Sequence, residues 1–68
     1  MSGVYKKIEI VGTSPVSFAE ATRAAVEEAS RTVRNLSWFE VVEERGSIRD
    51  GKVSEFQVTL KVGFKVEG

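Results

Sequence analysis

The sequence has no cysteine and no histidine. Without thiols it can form no disulfide and offers no thiolate nucleophile. Without thiols or imidazoles the usual zinc ligand sets cannot be assembled, so no metal is expected. A surplus of either charge is also missing: ten basic residues balance ten acidic ones. Nucleic-acid binding, which needs cations to neutralise phosphates, is therefore not expected. No apolar run approaches the ~20 residues that cross a bilayer, so no membrane partner is expected. The opening "MSGVYKKIEIVG" lacks the basic-then-apolar layout of a signal peptide, which makes the cytoplasm the default location. With one proline, no low-complexity linker and no long-period repeat, residues 1–68 read as a single domain.

What remains is a small chain of ordinary soluble composition, 41% hydrophobic and 29% charged. A domain of this size buries only about 60% of the surface its unfolded chain exposes. Small scaffolds supplement such a core with disulfides, a metal or partner subunits. The first two routes are closed or weak here, so self-association is the expected one.

Residues 4–12, "VYKKIEIVG", alternate as a strand does. Val4, Lys6, Ile8 and Ile10 share one face, and Tyr5, Lys7, Glu9 and Val11 share the other. "GTSP" is expected to end that strand. Residues 14–36 carry helix signals. Ser17 and Glu20 stand at capping-box spacing, and Phe18, Ala21, Thr22, Ala25, Val26, Ala29 and Val33 recur at helical steps. Glu27 and Arg31 are spaced as an i,i+4 ion pair, and Arg31 and Arg34 fall where a helix C-terminus favours cations. Two longer strands follow, over 37–48 and 53–66. Asp50–Gly51 between them signals a two-residue hairpin turn. The fold class is α+β: a β-α-β-β unit, with a three-stranded antiparallel sheet wrapped on one helix. The position of the first strand relative to the hairpin stays open.

That turn fixes the hairpin register, placing Phe39 opposite Val62, Val41 opposite Leu60 and Trp38 opposite Gly63. Phe56, Val58, Leu60, Val62, Phe64 and Val66 form one apolar row beneath the helix, and Phe39 joins it. Trp38, the only tryptophan, falls on the opposite face with Glu40, Val42, Glu44, Gln57, Thr59, Lys61 and Lys65. A β-bulge in either strand would shift these pairs by one. An outward tryptophan fits a subunit contact, a stacking platform for a flat ligand, or simple partial exposure.

"VYKKIEIVGTSPVSF", "RNLSWFEVVEERG" and "FQVTLKVGFKVE" together resemble the dodecins, small flavin-binding proteins, over residues 4–67. Phe56 stands where that family often has tyrosine. The resemblance implies a homododecamer whose flavins, FMN above all, or else riboflavin or FAD, stack on Trp38. Gln57 would hydrogen-bond the polar edge of the ring, because an amide supplies both a donor and an acceptor. Along one hairpin Trp38 and Gln57 are about 20 Å apart, so one flavin would take its tryptophan and its glutamine from different chains. Arg45 and Lys65 become candidates for flavin contacts, Arg45 for a phosphate. The resemblance extends to coenzyme A, with Lys6, Arg31 and Arg34 as partners for its phosphates. Surface charges of this kind are more often simply solvated.

Enzymatic activity is not expected. Glu40, Glu43 and Glu44 have no nucleophile or histidine beside them, and "VGTSP" is too short and glycine-poor for a phosphate loop. The expected function is storage of flavin with suppression of its photochemistry. The alternative is a structural or interaction oligomer, open to coenzyme A, in which Trp38 only seals a subunit contact.

Overall fold

The alternating N-terminal segment forms a strand that runs further than its sequence signals. In a computed structural model describing residues 3–67, β1 (Tyr5–Ser14) is followed by α1 (Phe18–Ser30), β2 (Leu36–Arg49) and β3 (Lys52–Lys65). The ends of the expected 1–68 domain lie outside the described residues. "GTS" does not break β1: Gly12, Thr13 and Ser14 still pair with Val58, Gln57 and Phe56. The three strands form one antiparallel sheet in the order β1-β3-β2, so β3 is central and the first strand lies beside the third. This is the expected α+β, β-α-β-β unit.

The helix is shorter than its apolar pattern. Ser17 caps it, its Oγ accepting from the Glu20 N–H at 3.0 Å. The reciprocal half of a capping box is replaced by an ion pair from Glu20 to Arg23. The helix stops at Ser30, where the β-branched Thr32 and Val33 bend their N–H groups back onto the Ala29 carbonyl. Asn35 then takes a left-handed conformation, φ 64°, which asparagine tolerates better than most residues. Arg31 is therefore the cap and Arg34 lies beyond it, with no basic residue in the last turn. Arg31 pairs with Glu28 at 3.4 Å rather than with Glu27, as the expected i,i+4 spacing would have it.

Ala21, Ala25 and Ala29 form the buried stripe of α1, and they let the helix lie very close to the sheet. At Gly12 a Cβ would collide with the Ala21 carbonyl and stand 2.7 Å from the Ala25 Cβ. The backbone of Gly12 is ordinary strand, so glycine is needed there for closeness rather than for conformation. Beneath the stripe lie Val58, Leu60 and Val62, with Ile10, Phe18 and Val26 against them. The apolar row of β3 is thus the core face, as its spacing predicts.

The helix packs on β1 and β3 and leaves β2 uncovered. A 13-residue helix is about 20 Å long, whereas 14-residue strands run about 46 Å. Phe39 does lie on the helix side, opposite Val62, but it is 50% exposed rather than buried. Ile48 and Val53, near the hairpin tip, are 76% and 63% exposed.

The turn forms as read, with Asp50 and Gly51 both at positive φ. Trp38 meets Gly63, Phe39 meets Val62 and Val41 meets Leu60. Between these ends the register departs from a plain hairpin. An extra residue, Val42, shifts the ladder so that Glu43 faces Thr59, Glu44 faces Val58 and Arg45 faces Gln57. A compensating irregularity between Ser47 and Ile48 restores the register before the turn. Val42 is thus the unpaired bulge residue, and Glu44 belongs to the helix side rather than to the face of Trp38. The shift also decides which way Arg45 faces. Unbulged, Arg45 would oppose Phe56 beside the core; bulged, Gly46 takes that place and the guanidinium turns outward.

Leu60, 0% exposed, is the residue on which this packing converges. Leu60→Ala is expected to cost about 3 kcal/mol through a cavity the alanine stripe cannot refill. Gly12→Ala is expected to cost about 2 kcal/mol through overpacking. Urea midpoints against the parent protein measure both, and an unchanged midpoint for Gly12→Ala would refute the close-approach argument.

Candidate functional site

The outward face of the sheet is assembled from odd positions of β1 and β3 and from the two halves of β2 on either side of its bulge. Around the central glycine it carries Tyr5 and Lys7 from β1, Trp38 and Glu40 from β2, and Lys61 and Lys65 from β3. The Trp38 indole lies across the Gly63 backbone, and a Cβ at Gly63 would collide with the face of its six-membered ring. Tyr5 closes one flank, its ring centroid 5.4 Å from that of Trp38 at an interplanar angle of 57°. The indole Nε1–H donates to Glu40 Oε2 at 2.9 Å, and the same oxygen accepts from Lys7 Nζ at 3.0 Å. Trp38 remains 40% exposed, so one broad face of an aromatic plate is free.

Glu40 titrates below the usual glutamate range. The indole hydrogen bond contributes most, followed by the hydrogen bond from Lys7, with weaker attraction from Lys7 and Lys61; partial desolvation opposes them. The carboxylate is therefore charged throughout the neutral range.

Gln57 sits on the same face, six residues along β3 from the position opposite Trp38. At ~3.3 Å per residue the separation is about 20 Å. Arg45, across from Gln57, donates through Nε to Gln57 Oε1 at 2.7 Å. Gln57 Nε2 in turn donates to Glu55 Oε1 at 2.9 Å. The donor on one side and the carboxylate on the other fix which end of the amide is oxygen. Each end keeps one further hydrogen-bonding capacity. The structure thus brings Arg45 to Gln57, well inside β2, and keeps both away from Trp38. Lys65 ends β3 opposite Tyr5, on the Trp38 side of the sheet.

The three remaining basic candidates gather at the other side of that end. Lys6, Arg34 and Lys65 line an open cleft of about 440 Å³ with Phe64 and Val66. Arg31 joins Arg34 in a neighbouring cleft of about 520 Å³. Tyr5, Lys7 and Glu55 escaped the sequence analysis as site residues. The signal for Tyr5 and Lys7 was the pairing of β1 with β3, which places Lys7 directly opposite Gly63. Among the described residues no group of three or more His, Cys, Asp or Glu is placed to hold a metal ion. No helix among them is long and apolar enough to cross a membrane.

The β-α-β-β unit that carries this indole has counterparts among known proteins. The family model described as Dodecin matches residues 4–67. The chain belongs to the dodecin family. It is 51% identical over 67 residues to the dodecin of Thermus thermophilus, covering 98% of this chain and 97% of that one. It is 33% identical over 63 residues to the calcium dodecin of Mycobacterium tuberculosis, covering 93% and 89%. The solved dodecin from Streptomyces davaonensis superposes over 100% of both chains with a TM-score of 0.95 at 46% identity. The dodecin from Streptomyces coelicolor gives 0.94 at 50% identity, over 97% of this chain and 94% of that one. Dodecins are small binding proteins that occur as oligomers, and they are not known as enzymes.

Two outcomes test the geometry of the Trp38 plate. Gly63 has no left-handed backbone to maintain, and the first thing an added Cβ meets is the indole. Gly63→Ala is expected to lift the ring and shift its Nε1–H resonance while the far-ultraviolet circular dichroism stays unchanged. An unshifted resonance would contradict the contact. The acid limb follows from Glu40, whose folded-state pKa is depressed. Its stabilising contribution is present above the pKa of unfolded glutamate and is lost as pH falls through the lower folded value. The Nε1–H resonance is expected to titrate with a midpoint below the usual glutamate range, and a midpoint at or above it would refute the charged contact.

Proposed function

We propose that the chain is a flavin-storing dodecin: it stacks flavin, with FMN the expected form, on Trp38 within a homododecamer and suppresses the ring's photochemistry. The observation that carries the reading is the indole plate, lying flat on Gly63, tethered at its edge and open on its outer face. A planar isoalloxazine fits such a plate, and an electron-rich ring in face contact quenches a photoexcited one by electron transfer.

The 20 Å between Trp38 and Gln57 supports a site shared between chains. One flavin would take its stacking partner from one protomer and its edge hydrogen bonds from another. The spare donor and acceptor of Gln57 suit the alternating pyrimidine edge of a flavin. Arg45, engaged with Gln57 through Nε, keeps the rest of its guanidinium for a phosphate. Lys65 offers a further cation. Assembly is supported independently by the apolar surface left open along β2, at Phe39, Val41 and Ile48.

A second reading rests on the cleft of Lys6, Arg34 and Lys65. Two or three cations around an apolar floor suit a phosphorylated ligand such as coenzyme A, with Arg31 alongside. The cleft and the indole plate share only Lys65, so the two ligands would compete for that cation while their other contacts lie apart.

Size-exclusion chromatography read in the ultraviolet and visible bands reports mass and flavin together. The parent protein is expected to run as an assembly and to quench added FMN fluorescence. Trp38→Ala is expected to lose at least tenfold in FMN affinity with the assembly retained. An assembled parent protein that leaves FMN emission untouched would overturn flavin storage and favour the interaction-oligomer reading.

A further inference from the structure

Trp38 is held by more than its floor. An indole resting on a glycine can still rotate about its side-chain torsions, and a plate that swings presents no fixed surface. Three contacts restrict it: Gly63 beneath, Tyr5 at one flank, and Glu40 on the Nε1–H. Glu40 lies two residues further along the same strand and on the same face, so its carboxylate is within reach of the ring edge without strain. A lone surface glutamate would itself be mobile. Lys7 prevents that. It stands on β1 opposite Gly63, crosses above the central strand, and places Nζ 3.0 and 3.3 Å from the two Glu40 oxygens. Lys61, the neighbour of Glu40 on β3, adds charge of the same sign as Lys7.

We infer that Glu40, anchored by Lys7, is the positioning residue of the Trp38 platform: the pair fixes the in-plane orientation of the indole and thereby sets how tightly a planar ligand stacks on it. This rests on the reading of Trp38 as a stacking surface, and it goes further by assigning work to two residues that themselves need not touch the ligand. The pair also spends the one polar hydrogen of the ring internally. A ligand meeting the outer face therefore meets a wholly apolar π-surface, with no donor that demands a partner. Specificity for the ring edge must then come from elsewhere on the sheet. The strap joins the two edge strands over the central one, so the platform is fully restrained only when β1 and β2 are both docked on β3.

The test uses riboflavin, whose lack of phosphate keeps Arg45, Lys65 and the basic clefts from contributing. Glu40→Ala, Glu40→Gln and Lys7→Met are compared with the parent protein for assembly mass, Nε1–H resonance without ligand, and riboflavin affinity from fluorescence quenching. Glu40→Ala is expected to move the indole resonance and weaken riboflavin about tenfold. Glu40→Gln keeps an acceptor for the indole N–H and is expected to restore affinity to within about threefold of the parent. Lys7→Met frees the carboxylate without removing it and is expected to fall between the two. An unmoved resonance in both Glu40→Ala and Lys7→Met would overturn the inference, as would parent-like riboflavin affinity in Glu40→Ala. Equal losses in the Gln and Ala variants would also overturn it, since orientation would not then be what matters. Failure of the parent protein to bind riboflavin would remove the link to ligand binding, while the resonances would still judge the tether.

Discussion

The molecule is organised by one buried row. Val58, Leu60 and Val62 of the central strand lie under the alanine stripe of α1, and that burial decides which way every other strand residue faces. Because strand side chains alternate, burying the even positions of β3 sends Gln57, Thr59, Lys61 and Lys65 outward, with bare Gly63 among them. The pairing of β1 and β2 with β3 then delivers Tyr5, Lys7, Trp38 and Glu40 to the same surface. Small residues make the row possible: only glycine at position 12 admits the helix this close. The close fit also limits the helix to two strands, and the exposed apolar flank of β2 is the result.

Much of this was legible in the residues. The Asp50–Gly51 turn and the alternation of the third strand were enough to put Trp38 over Gly63 and Phe39 across from Val62. The capping serine was legible because its chemistry is local, and so was the alanine face of the helix. What escaped was set by tertiary contact. The extent of β1 past Gly12 depends on partners in β3, not on its own glycine and serine. The place of β1 beside β3 decides that Tyr5 and Lys7 stand next to the tryptophan, and nothing within residues 4–12 declares it. Phe39 was assigned its correct side but not its exposure, because coverage depends on where the helix comes to rest.

The candidate site shows the same division. Strand parity turned Trp38 outward and put Gln57 on its face, the family resemblance made both of them site residues, and their separation followed from residue spacing. Of the partners that polarise and hold them, Lys7 and Arg45 depend on strand pairing and on the bulge, whereas Glu40 and Glu55 stand two residues away on the same strand, where parity gives the shared face but not the bond. Arg45 reaches Gln57 only because Val42 displaces the ladder by one. The outer face consequently holds two small electrostatic circuits. One is built around an indole N–H, the other around an amide whose polarity is set by a guanidinium and a carboxylate.

The paired irregularities in the middle of the hairpin cancel, leaving its turn and the Trp38 pairing where a plain ladder would put them. A ladder zipped outward from Asp50–Gly51 without either of them would close the same turn and still seat Trp38 on Gly63, so two topologically identical hairpins share both ends and differ only in between. What separates them is the middle of the outer face: only the shifted register turns Arg45 toward Gln57, and the unshifted one would set it opposite Phe56 and leave the amide without its guanidinium. The same two ends can thus be reached with or without the second polar circuit, and the bulge is the feature that adds it.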